Sequence, residues 1–144
     1  MLSFTTLALT VAEADAYAVA RGLSDWTGDT ATKTAALRRG QDYIAGKYNQ
    51  LWLVSFDNDA APDQVKYAIT EAACREIKVP FSLTPDYTAG QSKVLTEVKG
   101  IKWEVIGDAS APGAMLPTIS AIEYLLTGIA SVGSMSGFPA VMLA

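Results

Sequence analysis

The sequence predicts a mainly α protein, a small four-helix bundle with an inserted β-hairpin at about residues 93–106 and an extended apolar C-terminal tail. Three observations carry this. Apolar residues recur at spacings of three and four in four separate stretches. "LTEVKGIKWEVIG" (95–107) alternates apolar and charged side chains as a strand pair does, and the tail after the last helix has neither charge nor period. At 144 residues the chain matches one domain able to bury a core without staples. The expected division is a single helical domain over 1–130 and a tail over 131–144.

The first helix starts in "LTVAEADAYAVARGL", where Thr10 and Glu13 have the spacing of a capping box and Gly22 suits the C-terminal end. Val11, Ala14, Tyr17 and Ala18 form its inner face, narrow and rich in alanine. "SDWTGDT" is turn chemistry. "TATKTAALRRGQDYIAGKY" then returns to helical period with Ala36, Leu37, Gly40, Tyr43 and Ile44 on one side, and Gly46 is expected to end it. Gly40 within a helix costs about 1 kcal/mol relative to Ala, which predicts a helix crossing there.

"NQLWLVSFDNDAAPD" is too short for a helix and reads as either a short strand or a loop folded onto the core. Pro62 suits the first turn of a third helix, since its missing N–H has no partner there anyway. That helix carries Val65, Ala68, Ile69, Ala72, Ala73 and Ile77 inward and stops before Pro80. "LPTISAIEYLLTGIAS" gives the fourth, with Leu116, Ile119, Ile122, Leu126 and Ile129 in period and Pro117 in its first turn.

In the hairpin, Lys99-Gly100 serves as a two-residue turn, with a bulged variant as the alternative. That register sets Val98 opposite Ile101, Thr96 opposite Trp103 and Val94 opposite Val105 on one face, and Glu97 opposite Lys102 on the other. A two-stranded ribbon is marginal alone, so its apolar face must lie on this subunit's helices or on another chain.

Composition narrows the function classes. Half the residues are apolar and 18% are charged, which excludes a disordered chain and leaves apolar surface for partners. The net charge of −4 gives no basic footprint for phosphates. One cysteine, Cys74, and no histidine exclude an internal disulfide and the usual zinc sites, and Cys74 is expected to fill space in a helix. Leu2 to Leu9 is too short for a membrane span and lacks the basic start of a signal peptide, so the reading is a protein made and kept in the cytoplasm.

No nucleophile and base form a recognisable set, so no enzyme, no cofactor and no metal are expected. Asp57, Asn58 and Asp59 lack the later glycine and glutamate of a calcium loop and read as an exposed turn. The cap explains Glu13 better than an acid pair with Asp15 does. Lys33, Arg38 and Arg39 are placed to touch phosphate or to form a solvated or subunit-contacting face, and the second is preferred. Trp26, Trp52 and Trp103 would stack on bases only beside a positive groove, so packing is the reading for all three.

"LTVAEADAYAVARG" followed by "DWTGDTATKTAALRRGQDYIAGKY" resembles the opening of a family of tailed-phage head–tail connector (adaptor, head-completion) proteins, many of whose members are labelled DnaT-like single-stranded-DNA-binding proteins. The pattern continues through "APDQVKYAITEAACREI", a hairpin whose second strand reads "IKWEV", and "AIEYLLTGI". It covers most of the chain in order, and Thr10 to Gly46 is its most specific block. "NQLWLVSFDNDA", where the family more often has a basic Trp-containing turn, and the apolar tail depart from it.

The resemblance implies a structural virion protein at the neck, made in the host cytoplasm. Its partners would be the portal protein, a tail or neck protein and further copies of itself in a ring, expected to be a dodecamer, with viral double-stranded DNA passing through the lumen without sequence-specific binding. No membrane is involved. Phe138, Val141, Met142 and Leu143 of the tail become the expected portal-docking residues. Val94, Val98, Ile101, Trp103 and Val105, with Glu97 and Lys102, become the expected hairpin contact, and Arg38 and Arg39 a polar subunit contact. The alternative is a single-stranded-DNA-binding protein using Arg38, Arg39 and the tryptophans, which salt must weaken steeply.

Overall fold

A computed structural model describes residues 1–86 and 116–132. This part is mainly helical, with four helices among the described residues: α1 (Val11–Arg21), α2 (Thr30–Tyr48), α3 (Asp63–Lys78) and α4 (Ser120–Leu126). The expected hairpin at about 93–106 and the tail residues from 133 onward lie outside the described residues.

α1 begins as its sequence predicts. The Thr10 side chain accepts from the Glu13 N–H and Glu13 Oε1 accepts from the Thr10 N–H, each at 3.2 Å. Gly22 ends it at φ +64°, the left-handed state that glycine enters without a Cβ penalty. α2 starts from Asp29, whose carboxylate accepts from the Thr32 N–H at 2.8 Å. It does not stop at Gly46 but continues to Tyr48, because the Asn49 N–H still reaches the Ala45 carbonyl.

Pro62 sits at the cap of α3, one residue before the first turn expected for it, and Val79 closes the helix before Pro80. α4 is shorter than its apolar period suggests, and Pro117 lies outside it. The cause is local. Pro117 offers its carbonyl to the Tyr43 hydroxyl and to Lys47 Nζ, the latter at 3.1 Å, and Ile119 is extended at φ −115° and ψ 113°. Helix therefore starts only at Ser120.

α1 and α3 run parallel, as Glu13–Lys66 at one end, Tyr17–Glu71 midway and Asp25–Lys78 at the other end show. α2 lies antiparallel on α3, and the expected crossing at Gly40 is present: a Cβ there would meet Ile69 O at 2.7 Å and Ala73 N at 2.9 Å. Leu37, Ile44, Val65, Ile69, Ile122 and Leu126 are fully buried between the helices. Cys74 is a buried free thiol, as expected. Burial raises its pKa, and it belongs with the inert structural cysteines.

Residues 49–62 form a loop folded onto the core. One antiparallel bridge, Trp52 to Ala130, ties it to the segment after α4 through Leu53 N–H to Ile129 O (2.9 Å) and Ser131 N–H to Leu51 O (2.8 Å). Val132 beyond it is also buried. Residues 1–9 form a strap held by three side-chain amides, Gln41, Asn49 and Asn58. Gln41, only 2% exposed, accepts from the Ala8 N–H and donates to the Ser3 and Thr6 carbonyls.

Candidate functional site

Arg38 and Arg39 are neighbours on α2, and successive helical residues project about 100° apart. Arg38 Nη1 donates to the Thr5 carbonyl at 3.0 Å, on the strap. Arg39 turns to the far end of α3, where Nε donates to Glu76 Oε1 at 2.6 Å and the guanidinium lies 4.3 Å from the Phe81 ring centre. The two arginines therefore do not build one cationic patch.

Lys33, the third cation of this run, donates to Asp15 Oδ1 at 3.0 Å, and Trp26 Nε1 donates to the same oxygen at 2.7 Å. These hydrogen bonds, Trp26 first and Lys33 second, hold the Asp15 carboxyl below its ordinary range. Among the described residues, only Arg21 and Arg38 of the lysines and arginines lack a carboxylate within 4.0 Å. A cation already paired within its own subunit releases little on meeting a phosphate.

Trp26 is buried, and Trp52 packs edge-on against Phe56 with ring centres 5.1 Å apart. Both therefore pack as expected. Trp103 lies outside the described residues, as do Val94, Glu97, Val98, Ile101, Lys102, Val105, Phe138, Val141, Met142 and Leu143.

Two clusters were not anticipated from the sequence. In the first, Tyr17 and Tyr67 stack at 4.7 Å, and the Arg21 guanidinium covers both rings at 4.2 and 5.0 Å. Burial, with the bond to Glu71 second, raises the Tyr17 phenol. A groove of about 290 Å³ runs beside this stack between α1 and α3, with Glu13 and Asp63 on its rim. The signal available was the pairing of Tyr17 with Arg21 four residues on, neighbours on one helical face.

In the second, Tyr43, Lys47 and Tyr48 of α2 surround Glu123 of α4, with Lys47 Nζ 4.0 Å from Glu123 Oε1. The Tyr48 hydroxyl and Glu123 Oε2 are buried without a hydrogen-bond partner among the described residues. Burial lowers the Lys47 pKa, against the pull of Glu123. No sequence signal joins these residues, because α4 reaches α2 only through the tertiary fold.

Several large apolar side chains stand in water, among them Phe4, Val19, Leu53 and Phe81. Among the described residues no group of acidic, cysteine or histidine side chains is placed to hold a metal ion. No helix among them is long and apolar enough to cross a membrane.

A family model described as "Putative DnaT-like ssDNA binding protein" matches residues 8–55. That stretch holds the end of the strap, α1, α2 and the start of the following loop, so it includes Arg21, Trp26, Arg38, Arg39 and Gly40. Neither a curated protein nor a solved structure matches the chain.

Proposed function

We propose that the chain is a structural virion protein, a head–tail adaptor whose copies form a ring below the portal, extend the DNA channel and join head to tail or neck. The observation that carries this reading is the pairing pattern of the surface. Among the described residues six of the eight lysines and arginines pair with carboxylates of the same subunit, while Val19, Leu53 and Phe81 stand exposed. Such a subunit spends its surface on protein contacts rather than on phosphate. A net charge of −4 also favours a lumen along which DNA slides with few phosphate contacts.

In this reading the tail residues Phe138, Val141, Met142 and Leu143 dock into the portal. The hairpin residues Val94, Val98, Ile101, Trp103 and Val105 meet a neighbouring subunit, with Glu97 and Lys102 on the polar side. Deleting Gly137–Ala144 should leave a folded subunit that no longer co-purifies with portal rings. Undiminished capture would sink the docking role, and failure of the intact chain to bind portal would sink the adaptor reading.

The family match favours a second reading, single-stranded DNA binding through the α1–α2 unit. Titration of an oligonucleotide at 50 and 200 mM salt separates the two, since phosphate-based binding falls by orders of magnitude over that range when six or more phosphates are contacted. Binding that is tight at low salt and lost at high salt supports the second reading. No binding at low salt excludes it.

A further inference from the structure

On its seat against α2 and the loop at 49–62, the strap is held by its main chain. Asn49 pairs with Leu2 twice, Oδ1 accepting its N–H at 2.9 Å and Nδ2 donating to its carbonyl at 3.0 Å. Asn58 Oδ1 accepts from the Ser3 N–H at 2.8 Å, and its Nδ2 donates to the Thr6 carbonyl at 2.9 Å. With the three bonds of Gln41 and the Arg38 bond to the Thr5 carbonyl, body side chains make eight hydrogen bonds to the strap main chain. The Ser3 hydroxyl, by contrast, bonds within the strap itself.

Side-chain packing is slight. Leu2, 2% exposed, anchors one end and Ala8 is buried at the other, while Phe4 stands 62% exposed between them. An open gap of about 60 Å³ lies between Phe4 and Leu7 of the strap and Arg38 and Asp42 of α2, unlike the close packing of a protein interior. α1 does not need the strap for its cap, since Glu13 takes the Thr10 N–H. The strap therefore sits as a bound peptide does: main-chain bonds hold it and one pocket takes Leu2.

We infer that this seat takes the strap of a neighbouring copy as well as its own, so that copies exchange straps where they meet. Residues 2–8 already fit the seat, and a second copy carries the same segment. An exchanged strap makes in trans the bonds it makes in cis, so exchange needs no further complementary surface. A loosely packed edge segment also opens at lower cost than the helix pair beneath it. Once free, eight residues reach up to about 26 Å. Each copy then gives a strap and receives one through different patches, a heterologous contact that closes into a ring when the rotation permits. The inference rests on the ring reading above and names an element that would link its subunits.

The test mixes two full-length variants, S3C on the strap and N58C at the seat, in both of which the native Cys74 stays buried. A short bismaleimide traps even brief occupancy. Hetero-crosslinked dimers should form in the mixture at least about tenfold faster than homodimers form in either variant alone, because occupancy raises effective concentration. Adding L2D to the S3C chain removes the anchor and should bring the rate down to the homodimer level. Equal rates in mixed and separate samples would overturn the exchange. A fast rate that L2D leaves unchanged would overturn it too, since it means contact without occupancy. Within one chain, S3C combined with N58C should crosslink internally, and failure there would remove the seat itself. Portal capture of the intact chain is scored separately: capture without exchange keeps the adaptor and removes strap exchange, and exchange without capture does the reverse.

Discussion

Gly40 of α2 lies directly on the backbone of Ala73 of α3, close enough that a Cβ on Gly40 would stand 2.9 Å from the Ala73 nitrogen. Both neighbours within 3.0 Å are backbone atoms, so no side chain can swing aside. Overpacking of this kind costs about 1–3 kcal/mol, against about 1 kcal/mol gained in helix propensity. G40A should therefore lower the denaturant midpoint. Gly46, on the same helix, has nothing within 4 Å of its Cβ position, and G46A should raise stability by about 0.5–1 kcal/mol. Equal effects of the two changes would refute the close crossing.

Gln41 holds the strap through three contacts to the backbone of residues 3–8. Q41A leaves the buried Ala8 N–H unpaired, while the Thr6 carbonyl keeps its bond from Asn58 Nδ2, and should cost about 1–3 kcal/mol. Q41E keeps an acceptor for the Ala8 N–H but faces the Ser3 and Thr6 carbonyls with no donor, so it should be no better. Amide exchange of Ala8 reads this locally, and unchanged protection in Q41A would refute the hub.

The elements legible in the sequence were those fixed by local chemistry. Thr10 and Glu13 bracket a helix start, Gly22 its end, Pro80 a stop, and Gly40 an approach that only a missing side chain explains. Gly46 misled because a glycine exposed on a helix is tolerated when the backbone bond from Asn49 to Ala45 is still made. Pro117 misled for a tertiary reason, the capture of its carbonyl by Tyr43 and Lys47 from a distant helix. The run Arg38–Arg39 looked like one charged feature, but the helical turn sends one side chain to the strap and the other to Glu76. Gln41 carried no signal, since a polar residue beside two arginines reads as surface.

Alkaline stability should be governed by Tyr17, Tyr43 and Tyr48, all buried and all with phenols raised above their ordinary 10.0, chiefly by burial. Above pH 10 the unfolded chain releases these protons while the folded chain keeps them. The folded state then binds more protons, and stability falls as pH rises, by about 1.4 kcal/mol per pH unit for each tyrosine. Lys47, lowered by burial, has the opposite sign below its ordinary 10.5 and adds no slope above it. Y48F should remove about a third of the tyrosine slope. An unchanged slope between pH 10.5 and 11.5 would refute the assignment.

Glu76 serves two groups at once, the Arg39 guanidinium and the Phe81 N–H, each at 2.6 Å from the same oxygen. R39A strands a carboxylate that is 5% exposed and should cost about 2–3 kcal/mol, below the 3–5 of a fully buried pair because Arg39 itself is partly in water. E76Q retains an acceptor for Phe81 and removes the charge that needs Arg39, so it should cost about 1 kcal/mol, and R39A should cost less in the E76Q background than alone. E76A should also free the Phe81 turn, seen as loss of amide protection at Phe81. Additive effects in the cycle, with the Phe81 amide still protected in E76A, would mean that the turn holds its left-handed backbone without Glu76.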